Sequence, residues 1–352
     1  MVYKLSLDKK CYEYVGVIHV HSKYSDGSGS IKKIIKEAEK ANLDYIIIND
    51  HNNIKAKNKE GWYKKILLLA GEEIGDKGKS HYLALDIEKE INPCEYHHNT
   101  EEYIDSVKHQ KGLGFIAHPF GLEKEQFHFR VSSWNKWENL DYTGMEIWSY
   151  MHDWSYNVNL FNIFYYYLMP DKAIDGPPQD VLQKWDQLCQ KRRIVGIGST
   201  DVHAKYIFPF FMFQFLSYRR VFKGIRTHII LPEPLEKKLA SDKISIYKAF
   251  ENGHCFFAYD YIADSKGFQF EAIVDDSKNI IMGDESKLRK KASLIAKSPI
   301  PSTIRLIKDG QLIKETDNSL QLYWETEEQG VYRIEAQYNG RSWVYTNPIY
   351  LR

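Results

Sequence analysis

Between residues 15 and 203, seven short apolar segments each carry a histidine or a carboxylate at one end, and that repetition sharply limits the folds open to the chain. VGVIHVHSKYSDG (15–27) supplies His19 and His21, two residues apart and so on one side of an extended strand, with Asp26 in the turn that follows. LDYIIINDH (43–51) ends in Asp50 and His51, and KKILLLAGEEI (64–74) brings Glu72 and Glu73 after a run of aliphatics. His81 opens HYLALDI, so it stands at a strand start. GLGFIAHPF (112–120) closes on His118, GMEIWSY (144–150) carries Glu146, and RRIVGIGSTDVH (192–203) finishes with Asp201 and His203. A strand ending in a coordinating side chain delivers it to one rim of a sheet or barrel, where sites are usually assembled.

Helix-like stretches lie between these segments. In SIKKIIKEAEKANLD (30–44), Ser30 is a candidate N-cap and Ile31, Ile34, Ile35 and Ala38 fall at helical spacing. TEEYIDSVKHQKG (100–112) and DVLQKWDQLCQKRR (180–193) have the same character. Strands alternating with helices argue for a parallel α/β architecture, and a barrel explains why the polar ends share one rim. Near residue 260 the pattern changes to short alternating segments such as FQFEAIV, LQLYWET and VYRIEAQY, with KDGQ (308–311) as a hairpin turn signal. The expected organisation is a barrel over 1–260 followed by a small antiparallel β-sandwich over 261–352.

At 352 residues and 43% hydrophobic composition the chain can fill a large core. Its 48 basic and 47 acidic side chains leave a net charge of +1, which offers no long basic track for nucleic acid beyond short nucleotides. Cys11, Cys94, Cys189 and Cys255 form no CxxC pair and no zinc spacing, as expected of reduced thiols in a cytoplasmic protein. No stretch has the length of a membrane span, and the N-terminal segment has no apolar core of signal-peptide length. Oligomeric state is not legible.

A single histidine at a strand end is usually a hydrogen-bonded structural residue. Six of the 13 histidines, grouped with Asp26, Glu73 and Asp201, are a different matter. Mixed imidazole and carboxylate donors suit zinc, manganese or iron, and nine are too many for one ion, so two or three divalent metals are implied. The ordered set HxH with SDG, DH, GEE, a histidine opening a strand, AHP and GSTDVH resembles the PHP (polymerase and histidinol phosphatase) superfamily of metal-dependent hydrolases, over about residues 13–205. The resemblance implies a distorted (β/α)7 TIM-like barrel. It also implies that His19, His21, Glu73 and Asp201 hold one metal, that Glu73 bridges to a second completed by His81 and His118, and that Asp26, His51 and His203 hold a third. Glu73 is preferred to Glu72 because an aliphatic residue, Ile74, follows it, as it follows the family glutamate. Thr200 is an insertion relative to the GSD of many relatives, but the Asp-x-His spacing is kept. The domain order looks most like the CehA/McbA-type metallohydrolase branch, whose members cleave phosphoesters or carboxylic and carbamate esters.

Three divalent ions among three carboxylates leave a site of about +3, which favours a phosphate over a neutral ester. The expected activity is phosphoester hydrolysis of a small phosphorylated substrate by a metal-bridging hydroxide, with Asp201 or His203 handling the proton. Alternatives are a carboxyl-ester or carbamate hydrolase on the same site, and a non-catalytic metal-dependent binding module. Asp50, Glu72 and Glu146 are candidate hydrogen-bonding supports behind the ligands. Two aromatic stretches, 160–170 and 206–222, read as core packing or a dimer contact ahead of a substrate wall, and Arg219 and Arg220 in the second are candidate phosphate contacts. His97, His98, His109, His128, His152, His228 and His254 read as ordinary surface or structural histidines.

Overall fold

The computed structural model describes residues 1–4, 10–124, 129–139, 141–206, 214 and 216–352. The fold is mixed α/β, mostly sheet, with parallel strands at its centre. Seven strands follow one another through the first two hundred residues: β1 (Lys10–Val20), β2 (Tyr45–His51), β3 (Ile66–Ile74), β4 (Tyr82–Leu85), β5 (Leu113–Ile116), β6 (Gly144–Ser149) and β7 (Val195–Ser199). Neighbours in this series pair in order, and β7 leads back to β1 through a parallel bridge between Val202 and Val20. The Thr200 N–H donates to the Ile18 carbonyl and the His21 N–H to the Val202 carbonyl, which completes the cycle of pairing.

One expectation fails inside this series. β4 runs antiparallel to both β3 and β5. Only residues 75–81 separate β3 from β4, and a parallel return needs a crossover of a dozen or more residues. Because β4 runs backward, its start lies at the same rim as the end of β3, and so His81 meets side chains that other strands carry at their C-terminal ends.

Helices α1 (Ile31–Lys40), α2 (Thr100–His109), α3 (Tyr150–Asn157), α4 (Gln179–Lys191) and α5 (Leu239–Asn252) follow strands, and Ser30 caps α1 by accepting from the Lys33 N–H. Strand residues alternate between two cores. Ile46, Ile48, Leu68 and Ala70 pack with Ile34, Ile104, Val107 and Trp185 of the helices. Tyr45, Ile47, Leu67, Leu69 and Leu83 belong to a second cluster that takes in Ile246 and Phe250 of α5. Period-two alternation therefore sorts the strand ends as well: Asn49, His51 and Glu73 continue the second row, whereas Asp50 and Glu72 continue the helix-facing row.

After β7 the pattern departs from β/α sooner than expected. β8 (Ile225–Leu231) pairs antiparallel with both β1 and β9 (Cys255–Tyr259). The C-terminal part of the sheet includes β10 (Gln269–Val274), β11 (Lys278–Ile281), β12 (Ala292–Lys308), β13 (Gln311–Thr326), β14 (Gly330–Tyr338), β15 (Arg341–Thr346) and β16 (Ile349–Leu351). They are antiparallel to one another and join the rest where β15 pairs with β9. Asp309 and Gly310, both at positive φ, form the tight turn between β12 and β13, as the KDGQ signal predicts. Side chains also cross from this sheet to the first strands: Asn347 accepts from the Gly196 N–H at 2.7 Å and donates to the carbonyls of Gly196 and Cys255 at 2.9 Å.

Candidate metal centre

The rim donors converge on Glu73. Its Oε2 lies 3.1 Å from His19 Nε2, 3.2 Å from His21 Nε2 and 3.2 Å from His51 Nδ1, while Oε1 lies 2.7 Å from His81 Nδ1 and 3.2 Å from His118 Nε2. Asp201 Oδ1 is 3.3 Å from His19 Nε2 and 3.2 Å from His21 Nε2. On the outer side, Asp26 Oδ1 is 3.0 Å from His203 Nε2 and 3.9 Å from both His21 Nδ1 and His51 Nε2. Two four-donor groups result, His19–His21–Glu73–Asp201 and His21–Asp26–His51–His203, with His51–Glu73–His81 as a third. The His21 ring is stacked on His203 at 4.0 Å and on His51 at 4.5 Å, so it faces both four-donor groups.

His19 and His21 do not reach the cluster by simple strand alternation. The register of β1 against β2 slips between Val17 and Val20, and His19 within that bulge has φ 60°. Val17 and Val20, three residues apart, consequently share one core. His118 and Asp201 also take positive φ, at 28° and 48°. Three residues of the cluster thus occupy backbone conformations that are uncommon outside glycine and that persist where surrounding structure enforces them.

The arrangement fits divalent metals on the chemistry of its own atoms. His19 Nε2, His21 Nδ1 and Nε2, His51 Nδ1, His118 Nδ1 and Glu73 Oε2 are buried and have no hydrogen-bond partner. Leaving so many polar atoms unpaired in one place is costly unless something coordinates them. The outer nitrogens are meanwhile held. His19 Nδ1 donates to Glu146 at 2.6 Å, His81 Nε2 to the Asp76 carbonyl at 3.1 Å and His203 Nδ1 to the Asp201 carbonyl at 2.9 Å. Each of these contacts fixes the proton on the outer nitrogen and turns the other lone pair toward the carboxylates. Burial alone would depress His21, but the Asp201 and Glu73 carboxylates, each 3.2 Å from its Nε2, lift it to about 9. Burial would raise Glu73, yet the surrounding imidazoles hold it well below the ordinary carboxylate range. His51 goes the other way, lowered to about 4 by burial.

The remaining expected residues sort clearly. Glu146, between Met145 and Ile147, also accepts from the His118 N–H at 2.8 Å. Among the described residues Asp50 has no hydrogen bond to an imidazole; it accepts from the Ser22 N–H and hydroxyl and from the Ser25 hydroxyl, which shapes the turn leading to Asp26. Glu72 points away from the cluster, accepts from the Ile91 N–H at 2.9 Å, and is pushed up to about 8 by burial.

A cavity of about 840 Å³ opens above the donors, lined by Asp26, His51, Glu73, His81, His118, Asp201 and His203. Lys77, Lys124, Arg130 and Lys205 contribute cations to its wall, and Met151, Trp154, Val158, Ile163 and Tyr167 an apolar side. None of these residues was singled out individually in the sequence. The expected phosphate contacts are corrected: Arg219 is exposed, Arg220 is engaged by Asp171 at 2.6 Å, and neither lines the cavity. The aromatic stretch 160–170 packs against the core only in part, through Ile163 and Tyr166. Ile163 and Tyr167 face the cavity, while Phe161, Phe164, Tyr165 and Leu168 are exposed. Nearly half of the second stretch (207–213 and Phe215), and His128, lie outside the described residues.

A family model described as a PHP domain matches residues 18–157, a span that holds every donor of the cluster except Asp201 and His203. An uncharacterized protein of Methanocaldococcus jannaschii is 26% identical over 152 residues, which are 38% of this chain and 81% of that protein. Among solved structures, a two-domain protein from Bacteroides vulgatus containing a predicted PHP-like metal-dependent phosphoesterase aligns with a TM-score of 0.47 at 14% identity, over 99% of this chain and 97% of that one. An amidohydrolase from Chromobacterium violaceum aligns with a TM-score of 0.30 at 13% identity, over 53% of this chain and 87% of that one. The PHP-domain model thus matches the part of the chain that carries most of the histidine–carboxylate cluster, whose grouped donors could hold divalent metal.

Proposed function

We propose that the protein is a divalent-metal-dependent phosphoesterase acting on a small phosphorylated molecule. The observation that carries this reading is the set of unpartnered buried donors around Glu73 at the floor of a cavity whose wall holds four cationic side chains. In this reading His19, His21, Glu73 and Asp201 hold one ion, Glu73, His81 and His118 a second, and Asp26, His51 and His203 a third, with zinc, manganese or iron as candidates. Such ions, when bound, supply Lewis acidity toward phosphoryl oxygens and an activated water. The protein's own contribution is positional and electrostatic. Lys77, Lys124, Arg130 and Lys205 attract an anion into the cavity, Asp201 or His203 accepts the nucleophile's proton, and the apolar wall takes the part of the substrate that does not react.

The same reading treats β1–β7 as a distorted (β/α)7 barrel spanning residues 1–260 with β8 and β9, and residues 261–352 as a β-sandwich. It also takes the chain as a member of the CehA/McbA-type branch working in the cytoplasm, in keeping with four free cysteines. No helix among the described residues is long and apolar enough to cross a membrane.

The test is elemental analysis combined with hydrolysis of p-nitrophenyl phosphate, bis-p-nitrophenyl phosphate and p-nitrophenyl acetate, with and without manganese. Two or three metals per chain with phosphate release is the expected result, and His19→Ala or Asp201→Ala should abolish turnover while the fold persists. Cleavage of the acetate alone would move the assignment to a carboxyl-ester hydrolase. Absence of bound metal under every condition would remove the proposal.

A further inference from the structure

A second group of metal-type donors stands beside the cavity, outside the nine residues already described. Asp76 follows the end of β3 and lines the cavity; Cys94 and His98 come from the loop that leads into α2. Cys94 Sγ lies 3.7 Å from Asp76 Oδ2, His98 Nδ1 lies 3.7 Å from the same oxygen, and all three donor atoms fall within 4.8 Å of one another. For metal–ligand bonds of about 2.0–2.3 Å, the edge of a tetrahedron is about 3.3–3.7 Å, so these separations match a zinc site before its final contraction.

Two further features aim this group at a cation. Asp76 is already oriented: its Oδ1 accepts from Asn52 Nδ2 at 2.8 Å, and Asn52 in turn accepts from the Gly75 N–H at 2.9 Å, which leaves Oδ2 facing the thiol and the imidazole. His98 Nδ1 is a buried atom with no hydrogen-bond partner.

We infer that Asp76, Cys94 and His98 form a separate zinc site with an open fourth position at the edge of the substrate cavity. The donor mixture selects the metal: thiolate with imidazole favours zinc over magnesium, calcium or manganese. Binding displaces the thiol proton to solvent, and thiolate plus carboxylate neutralise the two charges of the ion. The ion would also tie the 92–98 loop to the Gly75–Asp76 turn, next to His81, whose Nε2 already contacts the Asp76 carbonyl. This inference does not depend on the reaction proposed for the main centre.

Cobalt(II) is the discriminating probe, because the nine donors of the main centre include no sulfur. Titration of the metal-stripped full chain with cobalt should give a near-ultraviolet thiolate-to-cobalt charge-transfer band that is absent in Cys94→Ser, weakened in His98→Ala, and kept in His19→Ala and Asp201→Ala. Zinc content after gel filtration should drop by one equivalent in Cys94→Ser. A wild-type chain that fills with cobalt and shows no such band, or a band that survives Cys94→Ser, would overturn the inference.

Discussion

Oε1 of Glu146 lies 2.6 Å from Nδ1 of His19, with both side chains buried, while the other carboxylate oxygen takes the His118 N–H. One carboxylate therefore sets the ring orientation of one imidazole and the backbone of the strand end that carries another. Supports of this kind are typically worth about 10–100-fold in metal affinity. Glu146→Ala should weaken zinc or manganese binding by about that factor in competition with a chromophoric chelator, with the far-ultraviolet spectrum unchanged. Glu146→Gln, which keeps an acceptor oxygen, should fall between the two. Wild-type affinity in Glu146→Ala would show that the contact is incidental.

Arg130 tests whether the cavity wall selects anions. Its side chain is 65% exposed and pairs with the Glu123 carboxylate at 3.3 Å, so it acts through solvent-screened attraction. Arg130→Ala should raise KM for p-nitrophenyl phosphate by about 3–10-fold at low salt, with kcat nearly unchanged, and the gap should close as ionic strength rises. A neutral ester should be indifferent to the substitution; an equal loss on both substrates would mean that Arg130 shapes the wall and does not attract charge.

How far the sequence reached depends on whether a residue's neighbours are local or remote. The donors could be picked out because each ends an apolar run, and a strand's end is a property of its own few residues. The preference for Glu73 over Glu72 agrees with the row that continues Leu67 and Leu69 toward His19 and His51, but both rows of β3 are apolar, so alternation alone could not make that choice. Lys77, Lys124, Arg130 and Lys205 gave no signal because each sits in a loop or short strand whose approach to the cavity is decided by tertiary packing. Cys94 and His98 stand only four positions apart, but their meeting with Asp76 is likewise decided by tertiary packing, through the turn after β3. Reversal of β4 was legible in principle from the short connection between Ile74 and Tyr82, because seven residues cannot make a crossover.

A pH dependence of stability follows from a buried group remote from the donor cluster. His228 on β8 contacts Glu13 at 2.7 Å and Asp260 at 3.0 Å, and its ring stacks on Phe256. Burial would lower its pKa, but the Asp260 and Glu13 carboxylates outweigh that and raise it to about 9. The folded chain therefore holds a proton that the unfolded chain gives up near 6.5, so this contribution is complete below pH 6.5 and disappears as pH rises through about 9. At its steepest the loss is on the order of 1 kcal/mol per pH unit. In urea titrations His228→Gln should be less stable than wild type at pH 6, with the gap narrowing steadily toward pH 9.5. A gap constant across that range would mean that His228 does not titrate in this window.

The last prediction concerns the junction between α4 and the C-terminal strands. Arg333 on β14 donates through Nε and Nη2 to the two oxygens of Asp186 at 2.7 and 2.8 Å, with Glu335 taking a third bond at 2.6 Å. Arg333 is 3% exposed, so its charge has little access to water, and the guanidinium also lies 5.4 Å from the Trp185 ring centroid. Removing one partner of a buried pair strands the other, at a cost of about 3–5 kcal/mol, whereas replacing both with apolar residues of similar size is often close to neutral. Asp186→Ala should therefore lower the urea midpoint sharply, and Asp186→Leu combined with Arg333→Met should recover most of the loss. If the double variant proves as unstable as Asp186→Ala, the pair stabilises the junction through its own attraction, and desolvation is the smaller effect.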